Sequence, residues 1–144
     1  MNQSKMPQVD LQPMQEIAGW EEFFQDGEAY LKTAAGAHKR RKEIFTAEIL
    51  YNLVAMAIEK FVMAALMRHG AMPYNHTMVD LVEAMEQNFP DAMKELREPL
   101  LELDKYQEIC DLDTYTIKPP TMGEIPSMLG LAEQLKSLVV RELL

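Results

Sequence analysis

Between positions 59 and 76 four side chains are singled out as candidates for chemistry: Glu59, Lys60, Arg68 and His76. A carboxylate and an imidazole can pass protons, and a lysine or arginine can hold a phosphate or a carboxylate. Glu59 and Lys60 interrupt an apolar run, so they must either reach water or find partners. These four are the candidate polar residues of a groove between helices. Tyr51 and Asn52 join Glu59 and Lys60 as polar candidates for a small ligand or nucleotide. A second set is the unbroken cationic run Lys39, Arg40, Arg41 and Lys42. Positive charges at a helix junction can meet nucleic-acid phosphates or an acidic partner. The same run would also complement the C-terminal dipole of the helix before it.

Other chemistries fail on spacing. The histidines are His38, His69 and His76, and they form neither an HExxH pair nor part of a Cys/His cluster. No metal site and no cofactor is expected. Glu43 and Glu48 lack the Glu-x-x-His partner of a di-iron bundle. The phosphate-cradling patterns GxGxxG and GxxxxGK[ST] are absent from the sequence. Cys110 lies among Glu108, Asp111 and Asp113, whose charges disfavour a thiolate, so packing is its expected role. No residue is assigned as catalytic.

These side chains must be positioned by a chain of 144 residues, enough for one domain with one core. The formal net charge is −9, from 23 acids against 14 bases. Such a balance opposes a dominant nucleic-acid or anionic-membrane surface but allows a local basic patch. A lone cysteine cannot form an internal disulfide, which fits a reducing compartment and a cytoplasmic protein. Residues 1–16 read as a loose leader and 17–144 as a single helical-bundle domain. The most apolar stretch, Leu53 to Met67, is short for a bilayer span and carries Glu59 and Lys60 at its middle, so it reads as a buried helix.

The periodicity predicts helices throughout and no strand long enough to build a sheet. The first runs from Trp20 to Ala37, with Glu21 and Glu22 in its first turn. The second runs from Lys42 to His69 and stops at Gly70. Its two apolar stripes, Phe45–Ile49–Leu53–Ala57–Phe61–Ala65 and Leu50–Val54–Ile58–Val62–Leu66, are too wide for a helix with one dry face. It must therefore be central in the bundle or also buried against another subunit. Thr77 and Asp80 resemble a capping box that opens a third helix ending near Gln87. A fourth helix starts at Pro90, carries Met93, Leu96, Leu100, Leu101, Leu103, Tyr106 and Ile109, and is kinked or split at Pro99. The stretch from Asp111 to Met122, with Pro119 and Pro120 in tandem, reads as an ordered loop. The last helix spans Ile125 to Leu143. The fold class is all-α, an up-and-down bundle of four to five helices.

The segment Ala57-Ile58-Glu59-Lys60-Phe61-Val62-Met63-Ala64-Ala65-Leu66 is similar to the "A-x-E-K-x-x-K-A-L-L" helix of HEPN domains (higher eukaryote and prokaryote nucleotide-binding). Gly70, Pro73 and His76-Thr77-Met78-Val79-Asp80-Leu81 resemble that family's "G-x-x-P-x-x-T-H-x-L-x-x-L" turn. The resemblance covers Lys42 to Glu83. It implies a HEPN-like helical bundle that often pairs through helix faces. Many members are ribonucleases or toxins partnered by a nucleotidyltransferase antitoxin, with an arginine, four to six residues, then a histidine. This chain has no arginine at that distance from a histidine, since seven residues separate Arg68 from His76. Where members carry Arg-Tyr-Pro it reads Cys110-Asp111-Leu112-Asp113.

The expected function is therefore a non-catalytic HEPN-like helical module that acts through protein–protein interaction as a homodimer. Two alternatives stand beside it. One is an RNA-binding or RNase toxin-like protein with a nucleotidyltransferase partner. The other is a nucleotide-binding module.

Overall fold

A computed structural model of the protein describes residues 15–41, 43–106 and 119–144. Among these, five α-helices and no strand are found: α1 (Trp20–Arg40), α2 (Ala47–Arg68), α3 (Met78–Asn88), α4 (Arg97–Glu102) and α5 (Ile125–Leu138). A 3-10 turn, Leu103–Tyr106, extends α4, and a π-helical turn, Val139–Leu143, extends α5. The all-α bundle expected from periodicity is present. The expected loop 111–122, Ile109 and Cys110 lie largely or wholly outside the described residues, as does the leader up to residue 14. The described end of that leader is engaged: Glu16 pairs with Arg68 at 3.0 Å, and the Ile17 N–H donates to the Met67 carbonyl at 2.7 Å.

α2 is the axis of the bundle. Phe61 to Met67 are all buried, and seven successive residues at 100° each sweep the whole helix circumference. Over that half of the helix the breadth of the apolar surface is covered by its own chain, while Ile49 and Met56 nearer its start are exposed. α2 has the length and hydropathy of a bilayer span, but most of it is buried inside the bundle. α1 runs antiparallel to it: the Phe24 ring meets Phe61 at 5.4 Å, and Met67 reaches Gly19. Gly70 adopts φ 76°, a left-handed value that suits glycine, and ends α2 where expected. The chain then returns along α2, so α3 opens near Met56 and Glu59 and closes with Phe89 against the His69 ring at 4.9 Å. α5 ends at the same pole, where the His69 ring nitrogen meets the Leu143 carbonyl at 2.8 Å.

Three boundaries differ from expectation, each for a local reason. α1 continues through Gly36 to Arg40, because Gly36 stays right-handed and His38, Lys39 and Arg40 suit a last turn. α2 begins at Ala47 rather than Lys42, because the Thr46 hydroxyl accepts the Ile49 N–H at 3.2 Å and caps the helix there. Phe45 therefore lies before the helix, not in its stripe. Residues 90–96 form turns instead of a helix started by Pro90. A continuous helix through Pro99 would lose a hydrogen bond and clash with the preceding turn, so α4 starts at Arg97 and places Pro99 in its first turn.

Two glycines on α1 predict opposite outcomes. A Cβ at Gly27 would lie 2.8 Å from the Phe61 ring, whereas one at Gly36 would meet nothing within 4 Å. Gly27→Ala is expected to destabilise by about 1–3 kcal/mol through overpacking. Gly36→Ala is expected to stabilise by about 0.5–1 kcal/mol through helix propensity. Thermal and urea denaturation of the two variants checks both signs.

Candidate anion-binding surface

The four candidate groove residues do not converge. The Glu59 carboxylate meets His76 Nδ1 at 3.5 Å, in a small cleft of about 320 Å3 also lined by Asn52, Met56, Met78 and Leu81. Lys60 turns to α1 and places its Nζ 4.6 Å from the centre of the Phe23 ring. Arg68 pairs with Glu16 and covers the Trp20 ring at 5.7 Å. Glu59 and Arg68 are nine residues apart, so they leave α2 on opposite sides, separated by about 14 Å along its axis. Arg68 and His76 therefore serve different partners on different flanks. Tyr51 is buried, and its hydroxyl donates to the Leu103 carbonyl at 2.9 Å, so it is a core residue rather than part of the cleft. Among the described residues no group of His, Cys, Asp and Glu could hold a metal ion.

A second cleft, about 550 Å3, lies between α4 and α5 beside Tyr106, Glu124, Ser127 and Gln134. Its reactive groups are already committed. Tyr106 donates its hydroxyl to Glu124 Oε2. Glu124 Oε1 accepts the Thr121 N–H at 2.9 Å and the Thr121 hydroxyl at 3.0 Å, closing a capping box at the entry to α5. Burial, then the hydrogen bond to Glu124, pushes the Tyr106 phenol up to about 12. Burial, with the nearby charge of Asp104, also raises Tyr51, whose ring lies 5.3 Å from that of Tyr106. Both phenols stay protonated near neutrality, which suits an anchor and not a base.

The cations single out a different place. Lys60 lies over a ring, and Arg68, Lys94, Arg97, Lys105 and Lys136 each pair with a carboxylate. Arg141 donates to the Ser137 carbonyl at 3.2 Å. Among the described residues, Lys32, Lys39, Arg40 and Arg41 are left without such partners, and all four are exposed on the C-terminal half of α1 and its cap. The Lys42 side chain lies outside the described residues. Lys32, Gly36 and Arg40 form one ridge at four-residue spacing, with a depression on either side. One, about 550 Å3, runs to α5 and adds Lys39, Lys136, Glu28 and Glu133. Glu28 is neutralised by Lys136 at 3.1 Å, so cations dominate that side. The other, about 400 Å3, adds Thr33, Ala37, Arg41 and Phe45.

Lys32 is invisible to a search for consecutive charges. Its membership follows from helix geometry, since it stands two turns before Arg40 on the same face. No family model, no curated protein and no solved structure matches the chain.

The tyrosines predict an alkaline limit. A phenol whose pKa rises on folding adds stability that is full below its unfolded value, about 10, and is lost as pH climbs through the folded value. For Tyr106 that window runs from pH 10.0 to about 12. The midpoint of thermal unfolding is expected to fall across it, and Tyr106→Phe should flatten the fall. Tyr51→Phe leaves the buried Leu103 carbonyl without its donor and should cost about 1–3 kcal/mol at neutral pH, read by urea unfolding.

Proposed function

We propose that this protein is a non-catalytic helical interaction module that docks an anionic partner on the cationic end of α1. The observation that carries the reading is the charge accounting. On a chain of net charge −9, four described bases remain without partners, and they share one surface. Like charges held together on a solvent-facing helix repel, and an anion at this place relieves that cost. Catalysis has no part in the proposal: Glu59 and His76 meet at 3.5 Å, but among the described residues no group of His, Cys, Asp and Glu that could hold a metal accompanies them. The HEPN-like kinship rests on the motif residues from Lys42 to Glu83 and enters as part of the same proposal. A nucleotidyltransferase is one partner that kinship would bring.

Labelled poly-L-glutamate, followed by fluorescence anisotropy, tests the docking surface. Binding is expected at low salt and should weaken steeply as ionic strength passes about 0.1 M, where the screening length is near 10 Å. Reversal of Lys39, Arg40 and Arg41 to glutamate should weaken it by at least about tenfold, or roughly 1.4 kcal/mol. Equal binding by the wild type and the triple variant would remove this surface from consideration.

A second reading, self-association, is favoured by a separate observation. Ile49, Met56 and Val79 are 44%, 40% and 42% exposed. Ile49 and Met56 are seven residues apart and share a face of α2, while Val79 follows Met78, which lines the same cleft as Met56. The expected outcome in sedimentation velocity is a homodimer that Met56→Asp splits. A wild-type monomer up to the highest soluble concentration would end this reading.

A further inference from the structure

We infer that the partner seated on the cationic end of α1 is an acidic protein segment bearing an apolar side chain among its carboxylates, and not a nucleic acid. The inference rests on the docking surface proposed above and names its occupant. After Arg41 the chain folds back on itself: the N–H groups of Ile44 and Phe45 both donate to the Arg41 carbonyl at 3.0 Å. This turn carries two large apolar residues, Ile44 and Phe45, within four positions of Arg41 in the chain. Phe45 forms part of the depression lined by Lys32, Arg40 and Arg41. Ile44, next to it, is 60% exposed. The surface therefore joins a positive rim to the apolar side chain of Phe45, with the exposed Ile44 adjacent to it in sequence.

A nucleic-acid backbone matches only half of that arrangement. Phosphates would meet the rim, but single-stranded bases need an aromatic face to stack on. The Phe45 ring is packed against the core, and Ile44 has no π-face. A long nucleic-acid polyanion, with one charge per roughly 3.4 Å of each strand, would also be repelled by the acidic remainder of the molecule. A short acidic segment carries few charges and lies within one screening length of the patch. Its apolar side chain would cover Ile44, while its carboxylates accept from Arg40 and Arg41. Gly36 leaves open space above the ridge for the segment's backbone to approach.

Three labelled probes of equal net charge separate the outcomes: a peptide alternating glutamate with leucine, the same peptide with serine for leucine, and a single-stranded oligonucleotide. The leucine peptide is expected to bind about tenfold more tightly than the serine peptide, the gain from covering an exposed isoleucine. Ile44→Ser should abolish that preference and leave serine-peptide binding unchanged. Gly36→Leu should weaken the leucine peptide by filling the approach without altering charge. Circular dichroism and melting curves of both variants confirm that they fold, as the exposure of Ile44 and the open space at Gly36 predict. Equal binding of the two peptides overturns the apolar requirement, and the docking surface stands. Tighter binding of the oligonucleotide overturns the choice of occupant. Failure of all three probes to bind removes the docking surface itself.

Discussion

Phe61 to Met67 make up nearly two turns of helix, and all seven are buried. A helix can hide its full circumference only if other segments arrive on every side. α1 brings Phe24 and Gly27 against Phe61, the segment before α1 hydrogen-bonds to the Met67 carbonyl, and α3 and α5 close near His69. The close approach at Gly27 shows how tight that enclosure is: one methyl group there would enter the Phe61 ring. The rest of the bundle is arranged to satisfy this half of α2.

Enclosure at one pole leaves the other pole more open. Toward its N-terminus α2 exposes Glu48, Ile49, Asn52 and Met56. α1 is antiparallel and ends at that open pole, which is why its cationic terminus stands in water and not in the core. Tyr51 and Tyr106 hold the open pole together through the Leu103 carbonyl and the Glu124 carboxylate. These buried phenols spend their hydrogen bonds on anchoring α4 and the entry to α5.

Much of the candidate surface was readable in one dimension. Lys39, Arg40 and Arg41 stand out as a run in an acidic chain, and the end of a helix at that run followed from its composition. Glu59, Lys60, Arg68 and His76 were equally visible, yet they scatter to the flanks of α2. For Glu59 and Arg68 the separation is one of helical phase, since nine residues at 100° each put them on opposite sides of α2, and His76 lies beyond that helix, before α3. Lys32, Ile44 and Phe45 were obscured for related reasons. Lys32 joins the cations through helical phase, and Phe45 joins them through the turn closed on the Arg41 carbonyl, just before the Thr46 cap.

What the residues determined by themselves was local: helical periodicity, caps at Thr77 and Gly70, an over-wide apolar α2, and the sign of the charge at the end of α1. These depend on neighbours within a few positions, and spacing records them directly. What only the tertiary structure decided was which charges are neutralised. Lys136 finds Glu28 on another helix, Arg97 finds Glu86, Arg68 finds Glu16, and Lys32 to Arg41 find nothing among the described residues. Ion pairing depends on distances of a few ångströms between segments far apart in the chain, and only packing around α2 sets those distances.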